Sequence, residues 1–192
     1  DYDELEEENI WPQLRRAESN RFAIAVKKAL EKTKAFGSGS VVPTPDATAD
    51  LYVLGRIDKS NSEDIKLVID IVDISGRKWD NETFEYRVSM GFFRDRKNKT
   101  NDPYEPVFTD IANHVFDLLV ARTEASKKEL KQLTDIRFAQ SFSPEAFSQH
   151  VATDKKGFVS LSSLPSEQDP MLNRVKPLRE QDQMFVDRIQ TQ

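Results

Sequence analysis

The stretch from Leu51 to Val88, reading LYVLGRIDKSNSEDIKLVIDIVDISGRKWDNETFEYRV, constrains the fold more than any other part of the chain. From Ile65 to Ile74 the aliphatics Ile65, Leu67, Ile69 and Ile71 alternate with Lys66, Val68, Asp70 and Val72. Period-two alternation predicts a strand with one buried face. Leu51 to Lys59 repeats the pattern, with Leu51, Val53, Gly55 and Ile57 opposite Tyr52, Leu54, Arg56 and Asp58. Lys78 to Ser89 continues it, with Phe84, Tyr86 and Val88 opposite Thr83, Glu85 and Arg87. A polar tip at Ser60-Asn61-Ser62-Glu63-Asp64 and a turn at Ser75-Gly76-Arg77 join the three strands. Burying each large aliphatic contributes about 1.5 to 3 kcal/mol. Register is thereby fixed, because a slip of one residue exchanges the faces.

Either side of this stretch the pattern is helical. From Trp11-Pro12 to about Phe36, with proline suited to a first turn, Phe22, Val26, Ala29 and Leu30 share a helix face, and Gly37 is placed to end it. Gly37 to Pro45 fits a short edge strand around Val41-Val42, since proline lacks the ladder donor. Tyr104 to about Arg122 carries two adjacent apolar stripes, Val107, Ile111, Val115, Leu118 and Phe108, Ala112, Phe116, Leu119, which predict a helix with a wide buried face. A more charged helix is expected from Glu124 to Gln140, and a short one from Ser143-Pro144-Glu145 through His150. Phe158 to Leu164 reads as extended, and Pro170 to Gln192 as helical on both sides of Pro177. The expected architecture is an α/β (α+β) sandwich, with a small mixed or mainly antiparallel sheet and two principal packed helices. This occupies residues 1–123, and residues 124–192 form a helical and irregular carboxy-terminal extension.

Composition narrows the chemistry. With 28 Lys and Arg against 33 Asp and Glu, the net charge of −5 lacks the phosphate attraction that dominates nucleic-acid binding, so nucleic acid is not an expected partner. The absence of cysteine removes thiolate catalysis, disulfides and cysteine metal sites, without fixing the compartment. No run reaches the roughly 20 apolar residues of a membrane span. The chain opens Asp1-Tyr2-Asp3-Glu4 with neither an initiating methionine nor a leader, as expected for part of a processed or longer protein.

No catalytic motif is legible. There is no G-x-S-x-G elbow, and the two histidines, His114 and His150, are too few for a zinc site and carry no H-E-x-x-H. Asp70 and Asp73 are three apart on a strand, hence on opposite faces, and read as a solvated side chain or a turn cap rather than paired catalytic carboxylates. Gly37-x-Gly39 is a poor phosphate loop, because Val42 stands where a third glycine belongs and prolines follow. Asn81-Glu82-Thr83 and Asn98-Lys99-Thr100 match a glycosylation sequon that recurs by chance. No catalytic residue, cofactor or metal is therefore assigned. The loop from Met90 to Pro106 combines Phe92-Phe93 with Arg94, Arg96, Lys97 and Lys99. It is either a connection with its aromatics tucked underneath or a contact surface.

Ala49-Asp50-Leu51-Tyr52-Val53-Leu54-Gly55-Arg56-Ile57, followed by a charged turn and then Leu67-Val68-Ile69-Asp70-Ile71-Val72-Asp73-Ile74-Ser75-Gly76-Arg77-Lys78-Trp79, resembles a pattern of bacterial envelope domains. These are the curli secretion lipoproteins, the lipoprotein activators of penicillin-binding proteins, and the amino-terminal domain of TolB. A helix on each side, Phe22 to Leu30 and Val107 to Leu119, suits that pattern, and the similarity spans roughly Phe22 to Arg122. The pattern usually has a Val/Ala-rich strand before the first helix, and the residues given ahead of that helix are instead acidic, followed by Trp11-Pro12, which leaves open whether that strand is lost, lies elsewhere or is replaced. The resemblance implies a non-enzymatic domain on the periplasmic face of the outer membrane, with a lipid anchor elsewhere in the protein. It also implies binding to other envelope proteins in an assembly or secretion complex, with a homo-oligomeric ring as one form. Phe92, Phe93, Arg94 and Arg96 are the expected partner contacts, with the helices beyond Glu124 as further candidates. The alternative is a peptidoglycan or glycan module using Trp11 and Trp79; a hydrolase with convergent carboxylates is a third class.

Overall fold

The computed structural model of the protein describes residues 12–37, 39–42, 48–61, 63–98, 100–166, 169–175, 177–179 and 181, the side chains of 12–16 and of Arg96 excepted. Its elements are α1 (Pro12–Lys32), β1 (Leu51–Ser60), β2 (Asp64–Asp73), β3 (Lys78–Arg87), a 3₁₀ turn (Arg96–Asn98), α2 (Glu105–Val120), α3 (Glu124–Phe142), α4 (Pro144–Phe147), a second 3₁₀ turn (Ser148–His150), β4 (Val151–Thr153) and β5 (Val159–Leu161). The three long strands form an antiparallel sheet in the order β1-β2-β3, and β4 pairs with β5 in a separate hairpin. The expected mixed helix and sheet architecture is what the chain adopts. Two compact units comprise Asp1–Val41, Gly55–Ile69 and Thr83–Phe116 in the first, and Val42–Leu54, Asp70–Glu82 and Asp117–Gln192 in the second.

In the first unit, the alternation predicted for β2 is expressed directly as burial: Ile65, Leu67 and Ile69 are buried, while Lys66 and Val68 are partly open. From α1, Phe22, Val26 and Ala29 face inward. Phe22 meets two rings of the second helical region, Tyr104 edge-on at 5.9 Å and Phe108 at 5.4 Å between centroids. Such ring pairs add about 0.5 to 1.5 kcal/mol beyond the area they bury. Tyr104 also donates its hydroxyl to the Asn61 carbonyl in the β1–β2 turn, and its burial pushes the phenol pKa upward. Val107, Phe108, Ile111, Ala112 and Val115 form the buried stripes of α2.

Two sequence expectations are corrected here. The first helix ends at Lys32 rather than running to Phe36. Thr33 donates its hydroxyl to the Leu30 carbonyl at 2.6 Å, and Lys34 takes a left-handed φ of 57°, so Gly37 is not the stop. A lysine there accepts a conformation that costs non-glycine residues about 1 to 2 kcal/mol. Nor do residues 39–42 form an edge strand; they are irregular, directly before a proline that can offer no ladder donor. Pro43 to Pro45, the rest of that expectation, lie outside the described residues.

Asp64 opens β2 under three cationic donors. Arg87 reaches it through Nε at 2.6 Å and Nη2 at 2.9 Å, and Lys59 Nζ at 2.9 Å. These hydrogen bonds hold the Asp64 carboxyl well below the usual carboxylate range. A depressed folded-state pKa contributes stability that is complete above the unfolded value, about 3.9, and is lost as pH falls through the folded one. Asp64→Asn is thus expected to lower Tm at pH 7. Thermal melts from pH 7 down to pH 2 should show the gap to wild type closing below about pH 4; a gap that stays constant with pH contradicts this role.

The second unit is organised on the β2–β3 turn. Gly76, at φ +84°, makes that turn, and Gly76 N donates to Asp73 O at 2.9 Å. The carbonyls it turns outward receive the carboxy-terminal half of the chain: Ile74 O accepts Arg137 Nη1 at 2.7 Å, and Ser75 O accepts Val159 N at 2.9 Å. Arg77 lies 6.0 Å from the Phe158 ring centroid. Thr123 caps α3 by accepting from Ser126 N. A separate apolar cluster of Ile136, Phe138, Ala139, Phe147, Leu172 and Val175 ties α3 and α4 to the helical stretch at 170–175. The extended segment expected from Phe158 has its strand at Val159–Leu161, and its partner β4 follows directly on the 3₁₀ turn Ser148–His150, the short α-helix before it ending at Phe147. Residues 182–192, the end of the expected terminal helix, lie outside the described residues.

Candidate partner-contact surface

Beyond β3 the chain enters the loop that carries the expected contacts. Val88 is buried and anchors its start, with Val88 N donating to Glu63 O at 2.8 Å. Ser89 O accepts Phe92 N at 2.9 Å, and Gly91 O accepts both Arg94 N and Asp95 N, a single helical turn. Asp95 then caps the next turn by accepting Lys97 N at 2.9 Å, and Asn98 Nδ2 reaches back to Phe92 O at 3.3 Å. Polar turn-forming residues, Ser, Gly, Asp and Asn, thus give the loop a conformation of its own.

That conformation separates the two phenylalanines. Their rings meet edge to face, with centroids 5.5 Å apart and planes at 80°. Phe92 is half-buried, whereas Phe93 is 60% exposed and Met90 75%, the two highest values for large hydrophobics among the described residues. Phe92 forms part of the wall of an open depression of about 370 Å³, with Asn101, Asp102, Glu105, Pro106, Thr109 and Asp110. Its walls come from the loop, with Phe92, Asn101 and Asp102, and from the first turns of α2, where positions 105, 106, 109 and 110 return at helical spacing to one exposed face.

Charge is arranged unevenly around it. Asp102 accepts both 3.0 and 3.2 Å contacts from Arg21 Nη2, and Glu105 pairs with Lys32 at 2.9 Å. The side chains of Asp110 and Arg94, both exposed, have no hydrogen bond or ion pair among the described residues. The side chain of Arg96 lies outside the described residues. So Phe92, Phe93 and Arg94 stand together in one turn. Sequence reasoning overlooked Met90, Thr109 and Asp110, and the polar face of the α2 pattern was the signal for the last two.

No family model, curated protein or solved structure matches this chain. The envelope resemblance therefore rests on residues 49–57 and 67–79 alone.

Elsewhere, side chains with chemical potential are engaged structurally. Asp70 pairs with Lys78 at 2.5 Å and accepts from Asn81 at 2.7 Å, while Asp73 is buried in the β2–β3 turn. Trp79 donates Nε1–H to Asp73 at 2.8 Å and carries the Arg122 guanidinium 4.3 Å above its ring. One face and the polar edge of that indole are thus already occupied, which leaves little for a sugar to stack on. Trp11 lies outside the described residues. His114 packs edge-on against Phe84 at 5.7 Å, and His150 is 2.8 Å from Ser163 Oγ on an open surface. Among the described residues no group of His, Asp and Glu is arranged to hold a metal ion, and no helix is long and apolar enough to cross a membrane.

Proposed function

We propose that this protein is a non-enzymatic domain that binds other proteins of the bacterial cell envelope. The contact is the Met90 to Arg94 turn, and the setting is an assembly or secretion complex on the periplasmic face of the outer membrane, with a lipid anchor elsewhere in the protein. The observation that carries the contact is the exposure of Met90 and Phe93 side by side on a turn held by its own hydrogen bonds. Aromatic and methionine side chains presented without conformational cost are the usual anchors of protein interfaces, and an adjacent arginine supplies charged recognition. The envelope setting is supported by the resemblance of the β1 and β2 segments.

Phe93→Ser tests this reading. The wild-type chain, purified from native membranes after mild crosslinking, is expected to bring down discrete envelope proteins, and the variant to lose them at least about tenfold, as befits an interface anchor. Unchanged recovery of the same proteins overturns the contact assignment. Recovery of cell-wall fragments in place of proteins favours the glycan-binding reading.

A further inference from the structure

The turn and the depression beside it carry side chains of opposite charge. Met90 and Phe93 protrude, next to the cation Arg94, which is unpaired among the described residues. Beside them Phe92 lines a depression whose wall carries Asp110, a carboxylate likewise unpaired among the described residues. A volume of about 370 Å³ is at the low end for a small-molecule site and is of the right order for one or two protein side chains. We propose that one occupant of this surface is a second copy of the same chain. Phe93 of each copy seats against Phe92 and Pro106 of the other, and Arg94 of each pairs with Asp110 of the other. Two patches that lie side by side and complement each other meet reciprocally under a two-fold axis, which is the isologous arrangement of most homodimers. Charge complementarity is what favours this occupant. An acidic partner would satisfy Arg94 and leave Asp110 facing like charge, and a basic partner would do the reverse. An anionic membrane surface would attract the turn and repel the acidic wall.

This inference rests on the Met90 to Arg94 turn being a contact surface, and the test separates the two. Sedimentation equilibrium of the 192-residue chain is expected to show a monomer–dimer equilibrium. Arg94→Glu and Asp110→Arg should each raise the dimer dissociation constant at least about tenfold, since each places two like-charged contacts across the axis. An equimolar mixture of the two single variants should dimerise like wild type, because the two substituted positions then face each other with opposite charges and the two unsubstituted ones keep their native pair. The double variant should also dimerise with itself. Circular dichroism on each single variant checks that it is folded, and the mixture restores association only if both are. A wild-type chain that stays monomeric to millimolar concentration overturns the second copy as occupant, as does a mixture that fails to associate. If Phe93→Ser still abolishes capture of envelope proteins in that case, the contact surface stands with a different occupant. Binding of wild type to anionic vesicles, lost in Arg94→Glu but kept in Asp110→Arg, would identify a membrane as the occupant instead.

Discussion

Replacing Asp73 by alanine is expected to cost at least about 3 kcal/mol of folding stability. The residue is 4% exposed and its carboxylate accepts four hydrogen bonds, from Ser75 N at 2.9 Å, Ser75 Oγ at 2.5 Å, Trp79 Nε1 at 2.8 Å and Arg77 N at 3.3 Å. Truncation leaves the Ser75 amide and hydroxyl without an acceptor in a site where Ser75 itself is buried. Each orphaned buried donor costs about 1 to 3 kcal/mol. The loss spreads beyond the turn, because Ile74 O and Ser75 O on that turn hold Arg137 and Val159. Asp73→Asn, which keeps the shape but replaces one acceptor oxygen with a donor, should recover only part of the loss. Urea denaturation followed by tryptophan fluorescence reads both the stability and the release of Trp79. A cost under about 1 kcal/mol for Asp73→Ala would mean that the turn is solvated.

Ile111→Ala in α2 is expected to cost about 2 to 5 kcal/mol. Ile111 is completely buried, and Val107 and Val115 beside it on the same face are 1% and 0% exposed. Such surroundings cannot collapse onto the vacated volume, so a cavity term adds to the lost transfer energy. Urea denaturation of the variant at pH 7 checks the value. The same truncation at an exposed position of α2, such as Thr109→Ala, serves as the control and should fall within about 0.5 kcal/mol of wild type. Equal effects at the two positions would show that α2 does not pack by the face its stripes predict.

The parts of the fold that were legible are those where burial leaves a periodic trace. β2 declared itself because every second residue is a large aliphatic, and α2 because its stripes recur at three and four residues. Those patterns report a face that must leave water, and both elements bury it. The end of α1 was misplaced because glycine was given the left-handed position that Lys34 takes, with the Thr33 hydroxyl drawing on the last turn. Asp73 was read as a turn cap or a solvated side chain. It caps the turn, but its burial depends on Trp79 folding back six residues later and on contacts from far along the chain. Nothing local to the sequence encodes that. The pairing of β4 with β5 was equally hidden, since three-residue strands carry too little alternation to be recognised.

The proposed contact surface was half legible. Four residues, Phe92, Phe93, Arg94 and Arg96, could be singled out because aromatic and basic residues are mixed in a polar loop. Which ring would be tucked away and which presented was undecided, for it depends on the Ser89 to Phe92 turn and on Asn98 reaching back to the Phe92 carbonyl. The depression was not legible at all, as it takes form only when the loop and the polar side of α2 stand next to each other.

The claim on which the functional reading depends is that Phe93 faces a partner and not the protein's own interior. Equilibrium urea denaturation of Phe93→Ser against wild type, on monomeric chain at low concentration, tests it most directly. The curves should coincide to within about 0.5 kcal/mol, whereas a loss of about 3 kcal/mol or more, the cost of removing a buried phenylalanine, would make the ring part of the core and leave the proposed contact without its anchor.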